Sequence, residues 1–202
     1  MSTKWTVPRD WEGETVAVLA SGPSMSAAVA AYVRDRCRVI AVNNQGLTIA
    51  PWADVLYGAD LKWWEHYRNE ALKFEKLKVT LRDGFDSKEV FYLEYSTIIP
   101  FDPKPTHLVS GGNSGYQAVH LAAHFGAKRI LMCGFDMREV NGERHNHGDH
   151  PGRLNTALNF RKWIHNFNCL YPDLHKRGIE LVNCTPNSAL KSVPYVPLQE
   201  AV

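Results

Sequence analysis

The sequence predicts a three-layer α/β fold, with a mostly parallel sheet covered by helices on both faces. Three observations predict it. Short apolar runs recur along the chain, most are followed by a segment of helix-forming composition, and nearly every run ends in glycine, serine, asparagine or aspartate. Strands buried on both faces read as continuous apolar runs, and parallel neighbours need a crossover that a helix can supply. A chain of 202 residues suits one such Rossmann-like domain, because single cores serve about 50 to 250 residues. A hydrophobic fraction of 45% supplies the core.

Thr15 to Ala20 (TVAVLA) is the first strand. It ends in Ser21-Gly22-Pro23-Ser24, and Ala27 to Val33 follows as a helix with Ser24 or Ser26 as its N-cap. Val39 to Val42 is the second strand, closed by Asn43-Asn44-Gln45-Gly46. Val55 to Tyr57 is the third, followed by Gly58-Ala59-Asp60 and an aromatic-rich segment with Trp63, Trp64 and Tyr67. One of the two tryptophans is expected in the core and its neighbour partly exposed. Val79 to Leu81 is a further strand, and Pro100, Pro103 and Pro105 mark a loop, since proline lacks the donor of a central strand. Gly111 to Gly115 opens a helix from about Tyr116 to Phe125, which Gly126 ends. Arg129 to Cys133 is a buried strand leading to Gly134-Phe135-Asp136. Leu154 to Leu170 is read as a helix, and Pro172 as the start of a second short one ending near Gly178. Ile179 to Asn183 is the last strand, with Thr185-Pro186-Asn187-Ser188 after it. The polar, histidine-rich stretch from Arg138 to Gly152 is longer than most loops of compact domains and is expected to act as a lid. No repeat or low-complexity tract interrupts the pattern, so residues 1–202 are expected to form one domain.

The formal net charge is +2 with lysines and arginines dispersed, which argues against a nucleic-acid partner. A small anion needs only one or two local cations. Four cysteines (Cys37, Cys133, Cys169, Cys184) form no CxxC pair, and two of them sit in apolar strands, as in a reducing compartment. The first residues, with Lys4, Arg9, Asp10 and Glu12, lack the apolar centre of a signal peptide, and no stretch approaches the ~20 apolar residues that span a bilayer. A cytoplasmic protein without a membrane span is expected. Its oligomeric state, a homo-oligomer included, is not legible.

In open α/β sheets ligands bind outside the carboxyl ends of the strands. Ser21, Gly22 and Ser24 there would combine hydroxyls, a glycine allowing close approach and a helix N-terminus. Asn113, Ser114 and Gly115 would do the same from a second helix. Backbone N–H groups and the positive helix end then suit an anion, usually phosphate. Neither turn is GxGxxG or GxxxxGK[ST], which argues against a dinucleotide dehydrogenase and a P-loop ATPase. Asn43, Asn44 and Asp60 end neighbouring strands and can read a base or a ribose hydroxyl; turn-capping is their alternative role. Arg138, just past Asp136, can fork onto a phosphate. Arg144-His145-Asn146-His147-Gly148-Asp149-His150 places three histidines and an aspartate within six residues. Acid–base chemistry or phosphate contact, a metal site and a merely solvated loop are the three readings of it.

The run Val16-Ala-Val-Leu-Ala-Ser-Gly-Pro-Ser24 resembles the "GxGPSL" turn of the bacterial lipooligosaccharide sialyltransferases. That turn recurs in a related domain of motility accessory factors and archaeal 6-hydroxymethylpterin diphosphokinases. Val42-Asn-Asn-Gln45 resembles their "CNQ" strand end, Asn113-Ser-Gly-Tyr through Cys133-Gly-Phe-Asp136 their "TSG…GID" block, and Thr185-Pro-Asn-Ser-Ala-Leu190 their "CPNSxL". The resemblance implies a Rossmann-like fold that binds CMP-sialic acid, as in the sialyltransferases, or ATP, as in the pterin enzymes. It implies Ser21, Gly22 and Ser24 near phosphate or sugar, Asn44 and Asp60 near the nucleoside, and Ser114 and Gly115 near phosphate or base. Arg138 stands where the sialyltransferases carry a phosphate-binding tyrosine. His150 is the counterpart of their lid histidine, the base that deprotonates the acceptor, with His147 second. The His145/His147 pair has no counterpart. The expectation is a nucleotide-sugar-dependent glycosyltransferase using a CMP-sugar type donor and a sugar-like or other hydroxyl acceptor, with no cofactor required and a divalent metal left open. The alternatives are a magnesium- and ATP-dependent pyrophosphokinase using Asp60, Asp136 and Asp149, a non-catalytic nucleotide-binding accessory protein, and a metal-dependent hydrolase built on the histidine loop.

Overall fold

The computed structural model describes residues 1–148 and 159–202. Among them nine strands form one sheet in which every ladder is parallel. In chain order they are β1 (Thr3–Lys4), β2 (Thr15–Leu19), β3 (Arg38–Val42), β4 (Val55–Gly58), β5 (Leu77–Leu81), β6 (Val90–Ser96), β7 (His107–Val109), β8 (Arg129–Cys133) and β9 (Glu180–Asn183). Across the sheet the order is β1-β6-β5-β4-β3-β2-β8-β9, with β7 beside the second half of β6.

Successive residues of the central strands enter opposite cores. Val16 and Val18 of β2, Ile40 and Val42 of β3, and Ile130 and Met132 of β8 share one apolar cluster; Ala17 and Leu19, Val39 and Ala41, and Leu131 and Cys133 share the other. That two-sided burial makes the strands read as unbroken apolar runs. Helices α5 (Ser114–His124) and α6 (Phe160–Lys176) cover the first cluster. The second lies under α1 (Ala27–Val33), α3 (Leu61–His66), α4 (Arg68–Leu72) and α7 (Leu198–Ala201). A single turn, α2 (Gln45–Thr48), follows β3. From β2 the chain steps outward to β3, β4, β5 and β6, then returns after α5 to β8 on the other flank of β2. The order therefore reverses at β2, and the carboxyl end of such a switch point is where a crevice opens.

Several elements differ from the sequence expectation. The strands β1, β6 and β7 were not foreseen. Trp63 and Trp64 are both buried, with their indole N–H groups donating to Asn44 Oδ1 (2.7 Å) and the Gly58 carbonyl (2.8 Å). α6 runs unbroken through Pro172. A mid-helix proline forfeits a backbone hydrogen bond, but here Phe167, Leu170 and Leu174 pin the helix to the core on both sides of it. Residues 154–158 of the expected helix lie outside the described residues. Among the described residues no helix is long and apolar enough to cross a membrane.

A buried polar network fixes α5 against β6 and β7. His120 is fully buried; its Nδ1 accepts from Val109 N (3.2 Å), so its Nε2 carries the proton and donates to the Asp102 carbonyl (2.9 Å). His124 Nε2 donates to the His107 carbonyl (2.9 Å). Burial, helped by the neighbouring His124, pushes His120 down to about 3, and burial also lowers His124. Between pH 6.5 and 3 the unfolded chain therefore binds a proton at position 120 that the native state refuses. Stability is complete above that window and falls with pH inside it, by up to about 1.4 kcal/mol per pH unit for one such group. Urea denaturation at pH 7 and pH 5 should show the loss, and His120→Asn, whose Oδ1 can still accept from Val109, should flatten the slope.

Candidate functional site

The ends of β2, β3, β4 and β8 and the start of α5 surround a cleft of about 210 Å³. An ordered water needs only about 10–15 Å³ on that measure, so the cleft is of ligand size. Ser21 and Gly22 line it after β2, Asn43 after β3, and Asp60 after β4; Asn113, Ser114 and Gly115 line it from α5, and Asp136 and Arg138 after β8. The switch point thus gathers nine of the residues singled out in the sequence at one place.

The first turn is occupied by the protein itself. Gly22 N donates to the Gly134 carbonyl (2.9 Å), Ser24 N to Asp136 Oδ2 (3.2 Å), and Met25 N to the Gly22 carbonyl (2.9 Å), while Pro23 has no donor. Ser24 Oγ adds a bond to Asp136 Oδ2 (2.8 Å). Glycine is needed at 22 because a Cβ there would sit 2.2 Å from Asp136 Oδ2 and 2.4 Å from the Gly134 carbonyl. The close approach is thus between two turns of the chain. α1 begins only at Ala27, capped by Ser26, whose Oγ accepts from Val29 N (3.3 Å). What this turn presents to the cleft is the Ser21 side, and Ser21 Oγ shares a hydrogen bond with His145 Nδ1 (3.0 Å).

The second turn keeps its leading amides unbonded among the described residues. Asn113 caps α5 by accepting from Tyr116 N (2.9 Å), and the amides of Ser114 and Gly115 at the helix start make no hydrogen bond to any described residue. Gly115 is required by packing, since a Cβ would lie 2.8 Å from the Phe135 ring. The turn is held from both sides. Tyr57 Oη donates to Gln117 Oε1 (2.9 Å), whose Nε2 donates to the Ser110 carbonyl (2.7 Å), and Asn166 Nδ2 of α6 donates to the Gly111 carbonyl (2.6 Å). A helix end so fixed suits an anion.

The histidine-rich segment begins as a docked wall. Asn146 N donates to the Ser21 carbonyl (2.9 Å), and the Asn146 and Gln45 amides bond each other reciprocally (2.9 and 3.3 Å). Gln45 is fully buried beneath that pair. Arg144 and His145 line the cleft, and the His145 and His147 rings stack at 5.3 Å with 1° between planes. Asp149 and His150 lie outside the described residues. Among the described residues no group of three or more histidine, cysteine, aspartate or glutamate side chains could hold a metal ion.

Three of the predicted residues, Ser24, Asn44 and His147, do not line the cleft, and His147 meets it through the stack on His145. Ser24 ties the first turn to Asp136, and the Asn44 amide accepts from Trp63 and donates to Tyr67 Oη (3.3 Å). Asn43, at φ 51°, does face the cleft, and its buried Oδ1 has no hydrogen-bond partner among the described residues. Arg138 Nε donates to the Asn187 carbonyl (3.0 Å), which holds its stem along the rim. The sequence reading missed Phe160 and Trp163, both on the cleft wall, whose rings meet at 5.5 Å and 88°. Their spacing of three at the start of a helix was the available signal.

The fold is similar to that of the sialyltransferase CstII from Campylobacter jejuni, solved in complex with a substrate analogue, cytidine-5'-monophosphate. The TM-score is 0.58 over 92% of this chain and 86% of that one, at 14% sequence identity. At that identity the likeness is one of fold. No family model and no curated protein matches the chain.

Proposed function

We propose that the chain is a nucleotide-sugar-dependent glycosyltransferase of the sialyltransferase-like type, with a CMP-sugar as donor. The observation that carries this reading is the convergence of both glycine turns on one cleft at the carboxyl edge of the sheet. The fold likeness to a sialyltransferase solved with CMP supports it. In this reading the Ser114 and Gly115 amides, with Arg138, hold the phosphate and stabilise its charge as the sugar–phosphate bond breaks. The acceptor hydroxyl forms the new bond to the sugar and gives its proton to His150 or His147. Gly22, Ser24 and Asp136 keep the first turn in place, Ser21, Asn43 and Asp60 belong to the wall that receives sugar or nucleoside, and Asn44 braces that wall through Trp63 and Tyr67. The pyrophosphokinase reading fits less well, because Asp136 Oδ2 already accepts two bonds from Ser24.

CMP at millimolar concentration is expected to raise the melting temperature; absence of a shift with CMP and every other nucleotide would overturn the reading. Replacing His147 and His150 together by alanine is expected to slow release of CMP from a CMP-sugar by about 10²–10⁴-fold, the usual effect of a lost general base, with CMP binding retained. Magnesium-dependent binding of ATP without binding of CMP would instead favour phosphoryl transfer.

A further inference from the structure

We infer that Trp163, with Phe160 beside it, is the nucleobase subsite of the cleft. This rests on the nucleotide reading above and fixes which way round the ligand lies.

Three features of the cleft differ in chemistry and in position. Trp163 and Phe160, from the first turn of α6, are half-buried and form an aromatic corner on its wall. Beside the indole stands Gly112, at φ 76°; even a Cβ there would be 3.4 Å from Trp163 Nε1, so the second turn presents bare backbone to the ring. Next come the Ser114 and Gly115 amides, which favour an anion. Asn43 and Asp60 follow, beyond β3 and β4, and bring an amide and a carboxylate residue to the cleft wall. Aromatic corner, anion site and hydrogen-bond acceptors thus succeed one another from the α5–α6 side of the sheet to the α3 side.

A nucleotide sugar carries the same three chemistries in the same order: a flat base, a phosphate, and a hydroxyl-rich sugar. A base stacks on an aromatic ring with little regard to its identity, whereas hydroxyls suit a wall that carries the polar residues Asn43 and Asp60. The sugar therefore lies at Asn43 and Asp60 and the base at Trp163, opposite to the placement that the sequence resemblance implies for Asp60. Trp63, the other tryptophan on the cleft wall, is 2% exposed and its N–H is bonded to Asn44, so it offers little ring to a ligand.

The test compares CMP with ribose 5-phosphate, which keeps sugar and phosphate and lacks the base, by calorimetry on wild type, Trp163→Leu and Trp163→Phe. Trp163→Leu should weaken CMP about tenfold, as expected for one lost base stack, and leave ribose 5-phosphate unchanged. Trp163→Phe should recover most of the loss, and the quenching of tryptophan fluorescence by CMP should vanish in both variants. Equal weakening of the two probes would mean that Trp163 only supports the Gly112 turn, and unchanged CMP affinity in Trp163→Leu would place the base elsewhere. Either overturns the inference while the nucleotide reading stands. A wild-type protein that binds neither probe overturns both.

Discussion

Gly22→Ala is expected to lower the free energy of unfolding by about 3 kcal/mol, the upper part of the usual range for overpacking a tight site. The added methyl would meet a buried carboxylate oxygen at 2.2 Å and a backbone carbonyl at 2.4 Å. Neither can yield cheaply. Asp136 is 2% exposed and fixed by Ser24, and the Gly134 carbonyl accepts the Gly22 amide itself. Gly134→Ala should cost at least as much, because its Cβ would lie 2.4 Å from the Ala20 carbonyl at a φ of 76° that disfavours any side chain. Ser24→Ala is the calibrating variant. It removes one hydroxyl bond to a carboxylate, typically about 1.5–3 kcal/mol, while the Ser24 amide keeps its contact with Asp136. Urea midpoints measure all three. A Gly22→Ala protein as stable as wild type would mean that the β2 and β8 turns slide apart freely, and the rigid floor assigned to the cleft would go with it.

How much was legible in the sequence follows from what each segment is buried against. β2, β3, β4, β8 and β9 announce themselves because both faces of the sheet are covered there. β6 does not, since its burial is interrupted and it holds its place by pairing with β5, β1 and β7. A strand of two residues such as β1 has no periodicity to read. One local signal was present and passed over. Asn141 and Gly142, both at positive φ, make a tight reversal in which Val140 and Glu143 exchange backbone bonds, inside a stretch read as an irregular loop. The position of the cleft followed from topology. The direction of its amides did not, because Gly22 and Ser24 donate to residues more than a hundred positions away. The Thr185–Leu190 segment is a similar case. Thr185 Oγ1 accepts from Phe135 N (2.8 Å), Ser188 Oγ donates to the Phe135 carbonyl (2.6 Å), and Ala189 N donates to the Asp136 carbonyl (2.9 Å). These residues brace the turn after β8, a role that no spacing within the motif reveals.

Asn146→Leu is expected to lower stability by about 2 kcal/mol, because the Gln45 amide then stays buried without either of its partners. If the chain around position 146 lifts instead, water reaches Gln45 and the loss appears as opening: faster proteolysis between Arg138 and Gly148 with a smaller drop in melting temperature. The paired variant Gln45→Leu/Asn146→Leu separates the two. Apolar groups of similar size facing each other leave no orphaned amide, so the double replacement should be more stable than Asn146→Leu alone by about 1 kcal/mol or more. Asn146 also stands between His145, bonded to Ser21, and His147, stacked on His145. Loosening it should therefore slow transfer more than it weakens CMP, since the α5 amides do not depend on this wall. Single and double variants with the stability of wild type would show that the reciprocal amide pair does not anchor the segment. The docked geometry of Arg144 and His145 at the cleft would then need another cause.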